Sequence, residues 1–261
     1  MALAMLGAAA CSTDTPTVPT SPAPIPAAQA CSIISALGSP SGLRIDILSG
    51  AQCDPQDRSP IVKLNMKSAF DDQLGSCTGT IVAPRAVLTA AHCLDSDVAT
   101  VRVWLGSGPE IVSDSFVRYP NFVFNQSGFD VGLIFMDEDL ARTPVPILTS
   151  RQGRVGESAI VAGWGRDETS ATFNLRAGST SLSAVTDTFL QTPFAPPASS
   201  VCSGDSGGSI LLSEGGAWTI GGITSATSGT ACNEGTNFFL AVQHPAVRNF
   251  ILEHVPSIGQ R

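Results

Sequence analysis

The stretch 201–210, "VCSGDSGGSI", sets Ser206 among three glycines, Gly204, Gly207 and Gly208, with Asp205 beside it. Cys202 stands before it and an apolar run follows. A serine hydroxyl is a weak nucleophile by itself, so so little side-chain bulk around Ser206 matters only if a base and an orienting acid lie elsewhere in the chain.

The chain has three histidines, His92, His244 and His254. His244 opens "HPAVRNFILEHV", in which Val247, Phe250, Ile251 and Val255 recur at helical spacing and predict a C-terminal helix. His254 falls in its last turn, where a partly positive imidazole suits the helix dipole. Both read as structural. His92 closes "IVAPRAVLTAAHC", an apolar β-like run with two alanines before the ring, and a Cys77 to Cys93 bridge would hold it in place. Asp130, in "SGFDVGLIFM", stands at the mouth of a strand headed into the core. A carboxylate there is costly to bury without a partner, which an imidazole N–H would supply. The alternative is a turn aspartate that caps the strand.

"TAAHC", "FDVGLI" and "CSGDSGG" follow one another in the order His, Asp, Ser. That order separates chymotrypsin-like sites from those of subtilisin and the α/β-hydrolases. With "ILSGAQC" at 47–53, "AGWG" at 162–165 and "GITS" at 222–225, the sequence resembles the chymotrypsin and trypsin family of serine endopeptidases over about 47–255.

The resemblance implies an all-β fold of two packed six-stranded antiparallel barrels with a C-terminal helix and the active site in the cleft between them. The first barrel would cover about 47–145 and the second about 146–261, with the exchange inside "ARTPVPILTSRQGRVG" at 141–156. It implies His92 as general base and acid, Asp130 as its orienting partner, Ser206 as nucleophile, and the N–H groups of Gly204 and Ser206 as the oxyanion hole. Asp205 would pair with a new α-ammonium at Ile47 after cleavage of a propeptide over 31–46. Asp46 rather than an arginine precedes Ile47, and Arg44 lies further upstream. By the same alignment Ser200 sits at the floor of the specificity pocket and Thr227 and Asn237 in its walls, which favours small or medium uncharged residues. Ser225 would offer its backbone to a substrate strand. A catalytically silent binding module on the same fold is the alternative function, and the complete His, Asp, Ser set speaks against it. The resemblance implies polypeptide substrates and a monomer; no cofactor is expected, because three scattered histidines and bridged cysteines leave no metal cluster.

The composition agrees with an exported β protein. Of 261 residues, 22 are acidic and 14 basic, a formal charge of -8, which leaves no electrostatic footprint for nucleic acid. The 25 glycines and 18 prolines punctuate short apolar stretches that read as strands. The seven cysteines are an odd number. If Cys11 is set aside, the other six can pair in fifteen ways by counting alone. Cys77 and Cys93 flank one short segment, Cys202 and Cys232 another, and Cys31 and Cys53 are left over. An exported compartment would oxidise all three pairs, and a Cys31 to Cys53 bridge would keep a cleaved end attached.

Residues 1–10, "MALAMLGAAA", end in small residues before Cys11 and resemble a bacterial lipoprotein signal, in which that cysteine carries lipid and anchors the protein to the cell envelope. The stretch is too short to span a bilayer permanently. From 11 to 30 recurrent Pro, Thr, Ser and Ala read as an extended, solvated stalk.

Overall fold

In "TVRVW", 100–104, Val101 and Val103 are buried and Thr100, Arg102 and Trp104 half-buried, the two-residue period of a strand with one face on the core. Strands make up most of the regular structure among the described residues. A computed structural model describes residues 25–38, 51–53, 59–166, 174–194, 198–229, 231–232 and 234–261. Cys11, Ile47 and the segment 1–10 lie outside the described residues.

Eight strands precede the exchange point: β1 (Ala51–Gln52), β2 (Ile61–Lys67), β3 (Gln73–Ala83), β4 (Ala86–Thr89), β5 (Thr100–Trp104), β6 (Ile111–Ser113), β7 (Ser115–Arg118) and β8 (Gly132–Phe135). After it come β9 (Ser158–Gly163), β10 (Arg176–Ser181), β11 (Ala184–Val185), β12 (Phe189–Pro193), β13 (Ser209–Glu214), β14 (Ala217–Thr227) and β15 (Thr236–Ala241). They form two antiparallel sheets, in the orders β6-β5-β2-β3-β4-β8-β7 and β1-β10-β9-β13-β14-β15-β12-β11.

Each sheet closes on itself through one bent stretch of chain. Only Asp114 separates β6 from β7, yet β6 pairs with β5 and β7 with β8. The buried Ser113 hydroxyl stabilises the bend by donating to the Phe135 carbonyl at 2.6 Å. Likewise β10 pairs with β9, and β11, two residues further on, with β12. Counting each bent stretch once gives six strands per barrel, as the sequence implies. The two-residue β1 is additional. It pairs with β10, so 51–52 belong to the second barrel and the strands of the first begin at Ile61, a correction to the boundary at 47.

The second correction concerns the stalk. A helix, α1 (Ala27–Gly38), begins inside the stretch read as extended spacer. Its first turn is set by the Pro26 carbonyl, which accepts from the N–H groups of Gln29 and Ala30. Ala30 and Ile34 are fully buried, and Leu37 packs beside them, spaced as one helix face. The Cys31–Cys53 disulfide fastens α1 to the chain just after β1. The expected C-terminal helix, α2 (Pro245–His254), buries Val247, Phe250 and Ile251, and His244 caps it by accepting from the Ala246 N–H. No helix among the described residues is long and apolar enough to cross a membrane.

The barrels meet through a mixed seam. Trp164, just after β9, donates its indole N–H to the Ile61 carbonyl at 3.1 Å, and the hydroxyls of Thr80 and Ser209 lie 2.7 Å apart. Apolar side chains of both barrels and both helices share one core, and a smaller core fills the second barrel.

Candidate active site

His92 stands in a short 3-10 turn, Ala91–Leu94, that follows β4. Ala90 and Ala91 are fully buried, and the Cys77–Cys93 disulfide ties the turn to β3. The nucleophile loop packs closely on the backbone of this turn. A Cβ added to Gly207 would come within 2.8 Å of the Ala90 nitrogen.

Asp130 enters just before β8 and is buried, its side chain 6% exposed against 22% for His92. Its Oδ1 accepts the backbone N–H of His92 at 2.9 Å, and its Oδ2 lies 2.8 Å from His92 Nδ1. The Ser225 hydroxyl donates to the same Oδ2 at 2.6 Å. Three donors thus meet the desolvation cost of the carboxylate. Because the carboxylate only accepts, Nδ1 carries a proton, and in the neutral ring this leaves the lone pair on Nε2. The capping role considered for Asp130 gives way to this pairing. The sequence pointed to the Ser225 backbone; its hydroxyl was not foreseen.

On the second barrel Gly204 and Gly207 have φ of +97° and +80°, a region that side chains other than glycine rarely adopt. The N–H of Asp205 donates to the Cys202 carbonyl, that of Gly207 to Thr224, and that of Gly208 to Asp205. Among the described residues, the N–H groups of Gly204 and Ser206 have no protein acceptor. The loop therefore presents two open donors beside the Ser206 side chain.

Asp205 points the other way, into the protein. It is buried and accepts from the N–H groups of Gly165 and Cys202, each at 2.8 Å. Burial pushes its carboxyl up to about 6, against these two hydrogen bonds and the field of Arg176, which pull it down. The glycines of "AGWG" make room for it: a Cβ on Gly163 would meet its Oδ1 at 2.1 Å.

A cavity of about 260 Å³ opens beside Ser206, with Val201, Cys202, Ser225, Thr227 and Gly229 in its walls. Thr227 is among the residues lining this cavity. Ser200 and Asn237 do not line the cavity; both are buried, and the Ser200 hydroxyl donates to Asn237 Oδ1 at 3.0 Å. Asn237 in turn donates to the Thr192 hydroxyl at 3.0 Å, which turns its amide away from the wall assigned to it. The Cys202–Cys232 disulfide encloses this side. A larger cavity of about 460 Å³ shares 225–227 and is walled by Phe122, Phe124, Phe129, Phe189 and Phe238. Phe124, itself half in solvent, lies with its ring centroid 5.0 Å from that of His92, a neighbour that no sequence motif announces.

The sulfurs of Cys77 and Cys93 lie close to a ring nitrogen of His92, but they are bonded to each other and offer no thiolate to a metal.

A model of the family described as Trypsin matches residues 47–251. The chain is 30% identical over 194 residues to chymotrypsin-C of Bos taurus, covering 60% of this chain and 70% of that protein. It is 24% identical over 136 residues to the CLIP domain-containing serine protease C9 of Anopheles gambiae, covering 48% of this chain and only 37% of that protein's length. The solved structure of HL collagenase superposes with a TM-score of 0.67 at 22% identity, over 80% of this chain and 99% of that one, a likeness of fold. By its family match and by its two closed barrels with a C-terminal helix, the chain belongs to the trypsin family of chymotrypsin-like serine-protease domains.

Proposed function

We propose that this domain is a serine endopeptidase that hydrolyses peptide bonds through an acyl-enzyme. His92 Nε2 takes the proton of Ser206 as its Oγ attacks a peptide carbonyl, then passes that proton to the leaving amine. Asp130 holds the tautomer and stabilises the imidazolium. The negative oxygen of the tetrahedral intermediate sits on the N–H groups of Gly204 and Ser206, each worth about 3 to 4 kcal/mol in sites of this kind. Water then repeats the sequence to free the acid.

The observation that carries this reading is the pairing of two halves. A buried carboxylate fixes Nδ1 on one barrel, and a left-handed glycine loop leaves two N–H groups open beside a serine on the other. The test is Ser206→Ala in the purified chain. Hydrolysis and labelling by a fluorophosphonate probe should vanish while the fold stays intact. A native chain that neither reacts with the probe nor cleaves peptides would instead be a silent binding module.

The finer reading is that cleavage follows small or medium uncharged residues. No acidic side chain is among the described residues lining the smaller cavity, so a lysine or arginine there would be desolvated without a counter-charge. We further propose that the protein is exported and anchored by lipid on Cys11. A break between Arg44 and Ile47 supplies the ammonium that buried Asp205 accepts, and the Cys31–Cys53 bridge keeps α1 attached. Intact-mass and N-terminal analysis test this. An unmodified Cys11 rejects the anchor, and full activity of a chain unbroken through Ile47 rejects the activation step.

A further inference from the structure

Thr78 belongs to β3 of the first barrel and is fully buried, yet three of its four hydrogen bonds cross to the second barrel. Its N–H donates to the Ser206 carbonyl at 2.8 Å. Its hydroxyl donates to the Gly204 carbonyl at 2.8 Å and accepts the Trp164 N–H at 3.0 Å. The fourth, to its own carbonyl from the Thr89 hydroxyl at 2.9 Å, stays within the first barrel.

The four peptide units from 203 to 207 alternate in what they do. In the unit joining 204 and 205 the carbonyl is held by the Thr78 hydroxyl and the N–H by the Cys202 carbonyl. In the unit joining 206 and 207 the carbonyl is held by the Thr78 N–H and the N–H by the Thr224 carbonyl. The other two units carry the open N–H groups of Gly204 and Ser206. Their carbonyls, Ser203 and Asp205, are bound on the far side by the N–H groups of Arg166 and Gly208. Thr78 therefore clamps alternate units, and the two between the clamps are aimed outward.

We propose that Thr78 is a positioning residue for the oxyanion site, holding the N–H groups of Gly204 and Ser206 in the orientation that receives a developing alkoxide. The role rests on the peptidase reading above. Donors help a transition state only if they need no rearrangement when charge develops, and Gly204, with no side chain and a φ of +97°, cannot fix itself. The hydroxyl also joins the loop to the "AGWG" turn, because Trp164 precedes the Gly165 N–H that binds Asp205. Loosening Thr78 thus frees both ends of the loop at once.

The experiment compares Thr78→Val and Thr78→Ser with the unmodified full chain. It reads kcat and KM on a peptide substrate, affinity for a peptide aldehyde, which forms a tetrahedral adduct, affinity for the matching peptide amide, which does not, and thermal stability. Valine keeps the shape and removes the hydroxyl. We expect kcat to fall between about tenfold and hundredfold with KM little changed. Aldehyde affinity should fall in parallel while amide affinity holds, and Thr78→Ser should restore both. A folded valine variant with kcat and aldehyde affinity within twofold of the unmodified chain overturns the proposal. If valine does not fold, the serine variant decides. A folded serine variant with kcat within threefold supports the role of the hydroxyl, and one slowed tenfold or more overturns it. An unmodified chain without hydrolysis or fluorophosphonate labelling fails at the reaction itself and removes the role with it.

Discussion

The Ser225 hydroxyl and His92 Nδ1 share one oxygen, Asp130 Oδ2, at 2.6 and 2.8 Å. The two barrels are thereby joined through a single carboxylate, with His92 and Asp130 on the first and Ser225 on β14 of the second. Removing one hydrogen bond to a buried charge typically costs about 1.5 to 3 kcal/mol. Ser225→Ala should lower kcat by roughly tenfold, because Asp130 still holds the ring through its other contacts. Steady-state kinetics on one peptide substrate checks it, and an unchanged kcat would show that the hydroxyl is idle.

Asp205 makes stability depend on pH with a defined sign. Its carboxyl is raised from 3.8 to about 6 in the folded chain, so the native state binds its proton more tightly than the unfolded state does. The stability it contributes is fully present below about 3.8 and is lost as pH rises through about 6, a change of about 3 kcal/mol. Asp205→Asn should therefore gain on the unbroken native chain by about that amount between pH 3.5 and 7, as read by denaturant unfolding. In a chain cut before Ile47 the new ammonium should stabilise the carboxylate and flatten the difference. The same pH dependence in the cut and the unbroken form would dismiss the pairing.

Profiling a peptide library should favour Ala, Val or Leu immediately before the cut and reject Lys and Arg. Ser200 is buried outside the cavity lining and carries no charge, so it offers no counter-charge to an incoming cation. Ser200→Asp should not create trypsin-like cleavage, since the new carboxylate would stand behind the cavity beside an amide. A strong native preference for Arg would mean that a carboxylate reaches the cavity from elsewhere.

Two glycines with nearly equal φ should respond very differently to alanine. Gly207 has a φ of +80°, and an added Cβ would lie 2.1 Å from the Thr89 hydroxyl and 2.5 Å from the Thr78 carbonyl. Gly216, at +81°, has nothing within 4 Å of the added atom. Gly216→Ala should cost only the backbone strain, about 1 to 2 kcal/mol. Gly207→Ala must also displace backbone of the first barrel, should cost more than about 3 kcal/mol, and should abolish activity. Thermal melts of the two variants make the comparison, and equal losses would contradict the packing described.

What the sequence showed was what is local or rigidly spaced. The helix at 245–254 is legible because Val247, Phe250 and Ile251 repeat on one face. Two disulfides join cysteines that flank a short segment, and the third joins the two left over, Cys31 and Cys53. His92 and Asp130 were found because a histidine after two alanines and an acid before a core strand are each unusual. Helix α1 was missed because its short buried face follows directly on a run of prolines that reads as spacer. Thr78, the Ser225 hydroxyl and Phe124 were missed for another reason. Threonine and serine in a strand read as ordinary, and the partners that give them meaning are up to 128 residues away, as Thr78 is from Ser206 (206 − 78 = 128).

Closing each barrel through a bent strand leaves few places where a foreign chain can add. β13 covers β14 only as far as Ile223, so 225–227 have β15 on one flank and, among the described residues, no strand on the other. A polypeptide that pairs there must itself be extended. Under the peptidase activity proposed above, the folding free energy of the target then enters the cleavage rate. A loop held tightly in its own protein must first come loose, and the frequency of that opening, more than the residue at the cut, decides which native proteins are vulnerable.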